Sequence, residues 1–122
     1  MIESRLCTYR DFLREEFRPT LRSLKTDFRL HRKVWEFYAI ADTLASLGML
    51  KEGRKGMGFA VGLEPLSAYF AKRGCTITAS DRVVEGSGWS ASNQMASSVE
   101  QLNGQDICEH EEFVRRVTFH DV

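Results

Sequence analysis

Residues 54–81, RKGMGFAVGLEPLSAYFAKRGCTITASD, spell out a strand, a glycine turn, a proline-started helix, a glycine stop, a second strand and an acid. Lys55–Val61 is the expected first strand, and Gly62-Leu63-Glu64-Pro65 is the turn that follows it. Proline fits the first helical turn, where its missing N–H removes no intrahelical bond. Leu66, Tyr69 and Phe70 form the apolar face of that helix. Lys72 and Arg73 suit its negative C-terminal end, and Gly74 stops it. Cys75–Ser80 is a short second strand rich in β-branched residues. It leads into Asp81, 19 residues beyond Gly62.

The pattern extends in both directions. Residues 1–30 read as helical pieces, with Leu6, Tyr9 and Leu13 at helical spacing before Pro19. A stronger helix follows, in which Val34, Phe37, Tyr38, Ala41, Leu44 and Ala45 recur at steps of three and four as one apolar stripe. Gly48 suits the left-handed position just past its end. Downstream, residues 82–90 read as a loop, Ala91–Leu102 as a polar, Ser-rich helix and residues 106–112 as an acidic connector. Phe113–Phe119 is the expected third strand, and His120-Asp121-Val122 follows it. Helical crossovers between short apolar strands imply a parallel sheet with right-handed connections. The fold class is therefore α/β: half of a Rossmann-like doubly wound parallel sheet (β-α-β-α-β) preceded by N-terminal helices. Residues 1–122 form a single domain, with 1–50 as the helical segment and 51–122 as an incomplete cofactor-binding part.

Composition limits the alternatives. A chain of 122 residues, 43% apolar and 28% charged, has the make-up of one ordinary globular core. No apolar run approaches the ~20 residues needed to span a bilayer, and the charged N-terminus lacks the apolar stretch of a secretory signal. Cys7, Cys75 and Cys108 lie far apart with no CxxC pair, which points to reduced thiols in a cytoplasm-like compartment. Cys75 reads as a small buried hydrophobe. Net charge is zero but unevenly spread: residues 1–33 carry nine Lys/Arg against five acids, and residues 84–122 two Arg against seven. Arg10, Arg14, Arg18 and Arg22 recur every four residues. Two readings of that stripe compete, an anion-binding surface and a solvated face paired with Asp11, Glu15 and Glu16. A neutral domain lacks the basic balance of most nucleic-acid binders, which favours the second.

The small residues Gly58, Ala60 and Gly62 allow backbone to approach a ligand closely at the end of strand one. The helix starting near Glu64 points its first N–H groups the same way. A dinucleotide fingerprint is nevertheless absent. Gly56-Met57-Gly58-Phe59-Ala60-Val61 lacks the third glycine of G-x-G-x-x-G, and its glycines lie within the strand. Glu64 also sits where phosphates would go. A carboxylate there repels a pyrophosphate and suits a cationic group.

From residue 34 to 122 the chain resembles class I S-adenosylmethionine-dependent methyltransferases. The likeness is greatest to a subgroup with a G-x-G-F-x-V-G-x-E-P turn, here Gly56 to Pro65. It extends to Arg73-Gly74-Cys75, to Thr78–Asp81 and to Gly88-Trp89 with Gln94. The resemblance implies that Gly58, Ala60, Val61, Gly62 and Glu64 line the methionine part of S-adenosylmethionine. It further implies that Asp81 takes the ribose hydroxyls, and that Asp121 and Val122 lie by the adenine. Alanine at 60 replaces a glycine of the family's usual G-x-G-x-G, and Glu64 replaces another. The implied activity is methyl transfer; the acceptor, which the resemblance does not identify, is expected to be a small molecule or glycan-like, and the composition suggests no nucleic acid or membrane partner.

Structural explanations stand beside these roles. Gly62 also reads as a turn glycine, and an acid ending a strand is often a cap or turn former. Trp89 and Gln94 read equally as core cover. The three histidines show no spacing for a metal site, and no nucleophilic triad is visible. In the resembled family the acceptor side is built after strands four and five. A chain stopping at strand three is thus expected to be C-terminally incomplete, inactive alone, and prone to self-association through an exposed first strand. Two other functions compete: a non-catalytic binding or oligomerisation module, and a nicotinamide-dependent oxidoreductase fragment, which Glu64 disfavours.

Overall fold

The computed structural model describes residues 3–82, 96 and 98–122. The chain is a mixed α/β fold around an open three-stranded sheet in the order β1-β2-β3. The strands are β1 (Lys55–Gly58), β2 (Thr76–Asp81) and β3 (Val117–Asp121), all parallel. The helices are α1 (Phe17–Ser23), α2 (Arg32–Ser46), α3 (Leu66–Lys72) and α4 (His110–Arg116), with 3-10 turns at Tyr9–Leu13 and Glu100–Asn103. Among the described residues no helix is long and apolar enough to cross a membrane.

Strand register assigns the two faces of the sheet. Gly56, Ile77 and Val117 form one cross-strand row, and Gly58, Ala79 and Phe119 another. Side chains alternate along a strand, so both rows share a face. Ile77, Ala79 and Val117 are buried there, beneath α3 and α4, which also touch each other. The intervening row of Met57, Thr78 and Thr118 points the other way. Met57 is 65% exposed and Thr118 is also exposed. Purely parallel sheets are usually covered on both faces, so this sheet is unusually open.

The helix ends follow one chemistry. After α2, Gly48 takes φ +67°, its N–H donates to Ala45 O and that of Met49 to Leu44 O. This pair of bonds satisfies carbonyls the last helical turn leaves orphaned. The same pair closes α3, through Gly74 and Cys75 to Ala71 and Phe70. It closes α1 as well, where Lys25 rather than glycine adopts positive φ.

Three expectations need correction. The first strand ends at Gly58, not Val61, because Ala60 adopts φ +52°, which no regular strand accommodates. The third strand is Val117–Asp121, not Phe113–Phe119, and the acidic connector runs into α4. Glu111 and Glu112 lie in the first turn of α4, and Arg115 and Arg116 in its last. Acids at the positive helix end and bases at the negative end favour a helix there. Finally, the Leu6, Tyr9 and Leu13 spacing does not make a buried stripe, since all three are more than 60% exposed. Phe12, Phe17, Leu21 and Leu24 are buried instead. Pro19 falls in the first turn of α1 and does not interrupt it. Residues 83–90 of the expected 82–90 loop and residues 91–95 and 97 of the expected Ala91–Leu102 helix lie outside the described residues; the remainder of that helix is not α-helical, since Glu100–Leu102 lie in a 3-10 turn.

The four arginines at 10, 14, 18 and 22 share no helical face, because extended backbone at Arg14 (ψ 140°) separates the 3-10 turn from α1. Arg14 lies 3.6 Å from Asp11 and 3.8 Å from Glu16, and Arg18 stacks 3.9 Å from the Phe28 ring centroid. Asp11 is itself buried. It pairs with Arg5 and accepts from the Thr8 N–H at 2.7 Å and the Thr8 hydroxyl at 3.1 Å. The Arg5 hydrogen bond, chiefly, holds its carboxyl down at about 2.

Among the described residues only β2 pairs with β1, and Met57 and the following Phe59 are exposed. Such an edge is a template for another strand. A protein of these 122 residues is expected to self-associate through β1. Sedimentation velocity showing a stable monomer across a wide concentration range would refute this.

Candidate cofactor site at the C-terminal strand ends

Parallel strands bring their C-terminal ends to one rim, so Gly58, Asp81 and Asp121 end neighbouring strands there. In open α/β sheets this rim is where ligands bind. The sequence-predicted residues on the turn after β1 (Ala60, Val61, Gly62 and Glu64) and at the end of β3 (Val122) cluster on the same rim.

The turn has a definite construction. Phe59 and Ala60 leave the β1–β2 ladder, and Val61 rejoins it by donating its N–H to Ser80 O at 3.1 Å. Val61 is thereby buried, while Phe59 is 76% exposed. A Cβ on Gly58 would stand 2.7 Å from Val61 Cγ1. Glycine at 58 thus makes room for Val61. Gly62 continues the turn at φ +56°, and the Glu64 N–H closes it onto Val61 O at 3.3 Å. The α3 helix follows, with Pro65 as its N-cap rather than its first residue.

Asp81 closes the site from the other side. The residue is 8% exposed. Its Oδ2 accepts the Gly62 N–H at 2.9 Å and the Ala96 N–H at 3.1 Å, and its Oδ1 accepts the Arg82 N–H at 2.8 Å. Its backbone carbonyl accepts the Val122 N–H at 3.0 Å, tying the end of β3 to the same point. Asp121 pairs in register with Asp81, and Val122 beyond it is 77% exposed.

Glu64 is half-buried on the turn, and burial, above all, raises its pKa. Lys33 of α2 lies 3.7 Å from its Oε1 and acts in the opposite direction. The Lys33 ion pair offsets part of the desolvation cost, and burial remains the larger effect. The sequence offered no sign of Lys33, which lies 31 positions away and reaches the turn only because α2 packs beside it.

An apolar cavity of about 370 Å³ adjoins the rim. It runs along β1 between Ile40 and Leu44 of α2 and Leu66 and Phe70 of α3, and reaches the rim at Gly58, Val61 and Glu64. Asp81, Asp121 and Val122 do not line it. Cys75 lies at its base, buried as expected, with its sulfur 3.6 Å from Met49 O. Among the described residues no group of three His, Cys, Asp or Glu side chains is placed to hold a metal ion. Trp89 and Gln94 lie outside the described residues.

No known protein family, curated protein or solved structure matches the chain.

Proposed function

We propose that this chain is the cofactor-binding part of an S-adenosylmethionine-dependent methyltransferase, built on half of a Rossmann-like sheet. The observation that carries the reading is the half-buried Glu64 carboxylate on the glycine turn, at the rim where three parallel strands end. Such a group rejects phosphates and favours a positive charge. S-adenosylmethionine meets that requirement with an ammonium and a sulfonium, and its bound role is to supply an electrophilic methyl. Glu64 and the turn from Ala60 to Gly62 would hold the methionine part. By the same reading Asp81 would face the ribose side, and Asp121 and Val122 the adenine. The acceptor is a small molecule or a glycan-like hydroxyl, in a cytoplasm-type compartment consistent with three free thiols. Methyl transfer is an in-line displacement, so the protein's contribution is chiefly alignment of the two reactants.

A non-catalytic binding or oligomerisation module is the second reading, favoured by the open edge of β1. Calorimetry separates the two. Binding of S-adenosylmethionine and S-adenosylhomocysteine at roughly micromolar strength, with none of NAD, supports the first. No binding of any of these nucleotides, together with stable self-association, supports the second.

Glu64→Gln sharpens the test. Removing a charge disfavoured chiefly by burial is expected to leave the melting temperature within about 2 °C of wild type. It should weaken S-adenosylmethionine binding roughly five- to tenfold, by loss of a charge-assisted contact. A variant that melts much lower while binding normally would make Glu64 a structural partner of Lys33 alone.

A further inference from the structure

We infer that Asp81 is a positioning residue, acting on a ligand through the turn after β1 rather than by a two-pronged grip on a ribose diol. The proposal rests on the adenosyl reading only for its ligand. The geometry behind it belongs to the chain itself.

An ionised carboxylate has about four lone-pair sites. In Asp81 three are filled by backbone N–H groups of the described residues, from Gly62 and Ala96 on Oδ2 and from Arg82 on Oδ1. At most one is left. Gripping both hydroxyls of a diol would require giving up at least one backbone bond, leaving a backbone donor without its partner at this largely buried position. The three donors come from different parts of the rim: the turn after β1, the residue following β2, and position 96. Anchoring all three to one carboxylate sets their mutual spacing, and a fourth segment joins through Val122 N–H on Asp81 O. The left-handed Ala60 at φ +52° shows that the turn is held in a conformation its own residues do not favour. Asp81 supplies a long-range bond that holds it, spanning 19 residues.

The test uses Asp81→Asn and Asp81→Ala in the full chain, with three readouts: melting temperature without ligand, amide NMR of Gly62 and Ala96, and S-adenosylhomocysteine affinity. Asn retains an oxygen for the Gly62 and Ala96 donors and sacrifices only the Arg82 bond. Asp81→Asn is therefore expected to keep both amide resonances near their wild-type positions, and any ligand affinity within about fivefold. Asp81→Ala is expected to shift both amides upfield, speed their exchange and lower the melting temperature by several degrees. If the alanine variant does not fold, the asparagine variant still decides. Loss of roughly tenfold or more in affinity by Asp81→Asn, with unchanged stability and amides, would overturn the proposal in favour of a ribose grip. Wild-type amides and melting temperature in Asp81→Ala would overturn it too. If the wild-type protein binds no adenosyl ligand, the proposed function fails, while the stability and amide readouts still settle the role of Asp81.

Discussion

Gly74→Ala is expected to lower the melting temperature by about 10 °C, from a loss of about 3 kcal/mol. Two costs add at this position. The backbone sits at φ +95°, beyond the small left-handed region open to residues with a side chain. A Cβ there would also stand 2.9 Å from the backbone N and Cα of Glu52, and 2.7 Å from its Oε2. The carboxylate can swing away, but the backbone cannot.

Yielding space at Glu52 also breaks a network. Arg116, largely buried at the end of α4, donates to Gly74 O and to Glu52 Oε2, each at 2.7 Å, and pairs with Glu112. This guanidinium joins the end of α3, the approach to β1 and α4. Gly48→Ala is the natural control. Gly48 also has positive φ, at +67°, but a Cβ there would meet nothing within 4 Å. That substitution is expected to cost only about 1 kcal/mol. Equal melting temperatures for the two variants would show that crowding against Glu52 adds nothing to the strain of positive φ.

Phe17→Ala is expected to cost about 4 kcal/mol, a large share of the 5–15 kcal/mol that ordinarily separates folded from unfolded chains. Phe17 is fully buried at the start of α1. Its ring meets Phe12, Phe28 and Tyr38 edge-on, with centroids 5.1, 5.9 and 5.0 Å away. Deleting it opens a void among three rings, and each loses a favourable edge contact. Phe17→Leu keeps most of the volume and should cost roughly 1 kcal/mol. Denaturant titration checks both through a fall in midpoint at unchanged slope. A Phe17→Ala midpoint close to wild type would mean that the N-terminal segment unfolds separately from the sheet. One contiguous cluster of buried residues, from Phe12 through Tyr38 and Leu66 to Val117, argues for a single cooperative unit.

Residues 54–81 show what a one-dimensional pattern carries. Its order of elements survives in β1, α3 and β2, because glycine stops and a proline start act on neighbouring residues only. Gly48 and Gly74 end their helices as expected for the same reason. The helix α4 is different: acids followed three to five residues later by Arg115 and Arg116 mark its ends, but the apolar Phe113 and Val114 read as the start of a strand. Position 60 was not legible. An alanine at positive φ looks like strand until Val61 is seen rejoining the ladder through Ser80.

The sequence by itself determined the α/β class, the central β-α-β unit, and the placing of a small-residue turn and an acid on one rim. Local periodicity and capping chemistry suffice for that. Only the tertiary structure decided what those residues touch. Gly58 yields space to Val61, Glu64 faces Lys33 across 31 positions, and Asp81 spends its lone pairs on three backbone amides. The Glu64–Lys33, Asp81–Gly62 and Asp81–Ala96 contacts join residues far apart in sequence, set by how α2 and the strand ends pack together. No spacing rule along the chain encodes them.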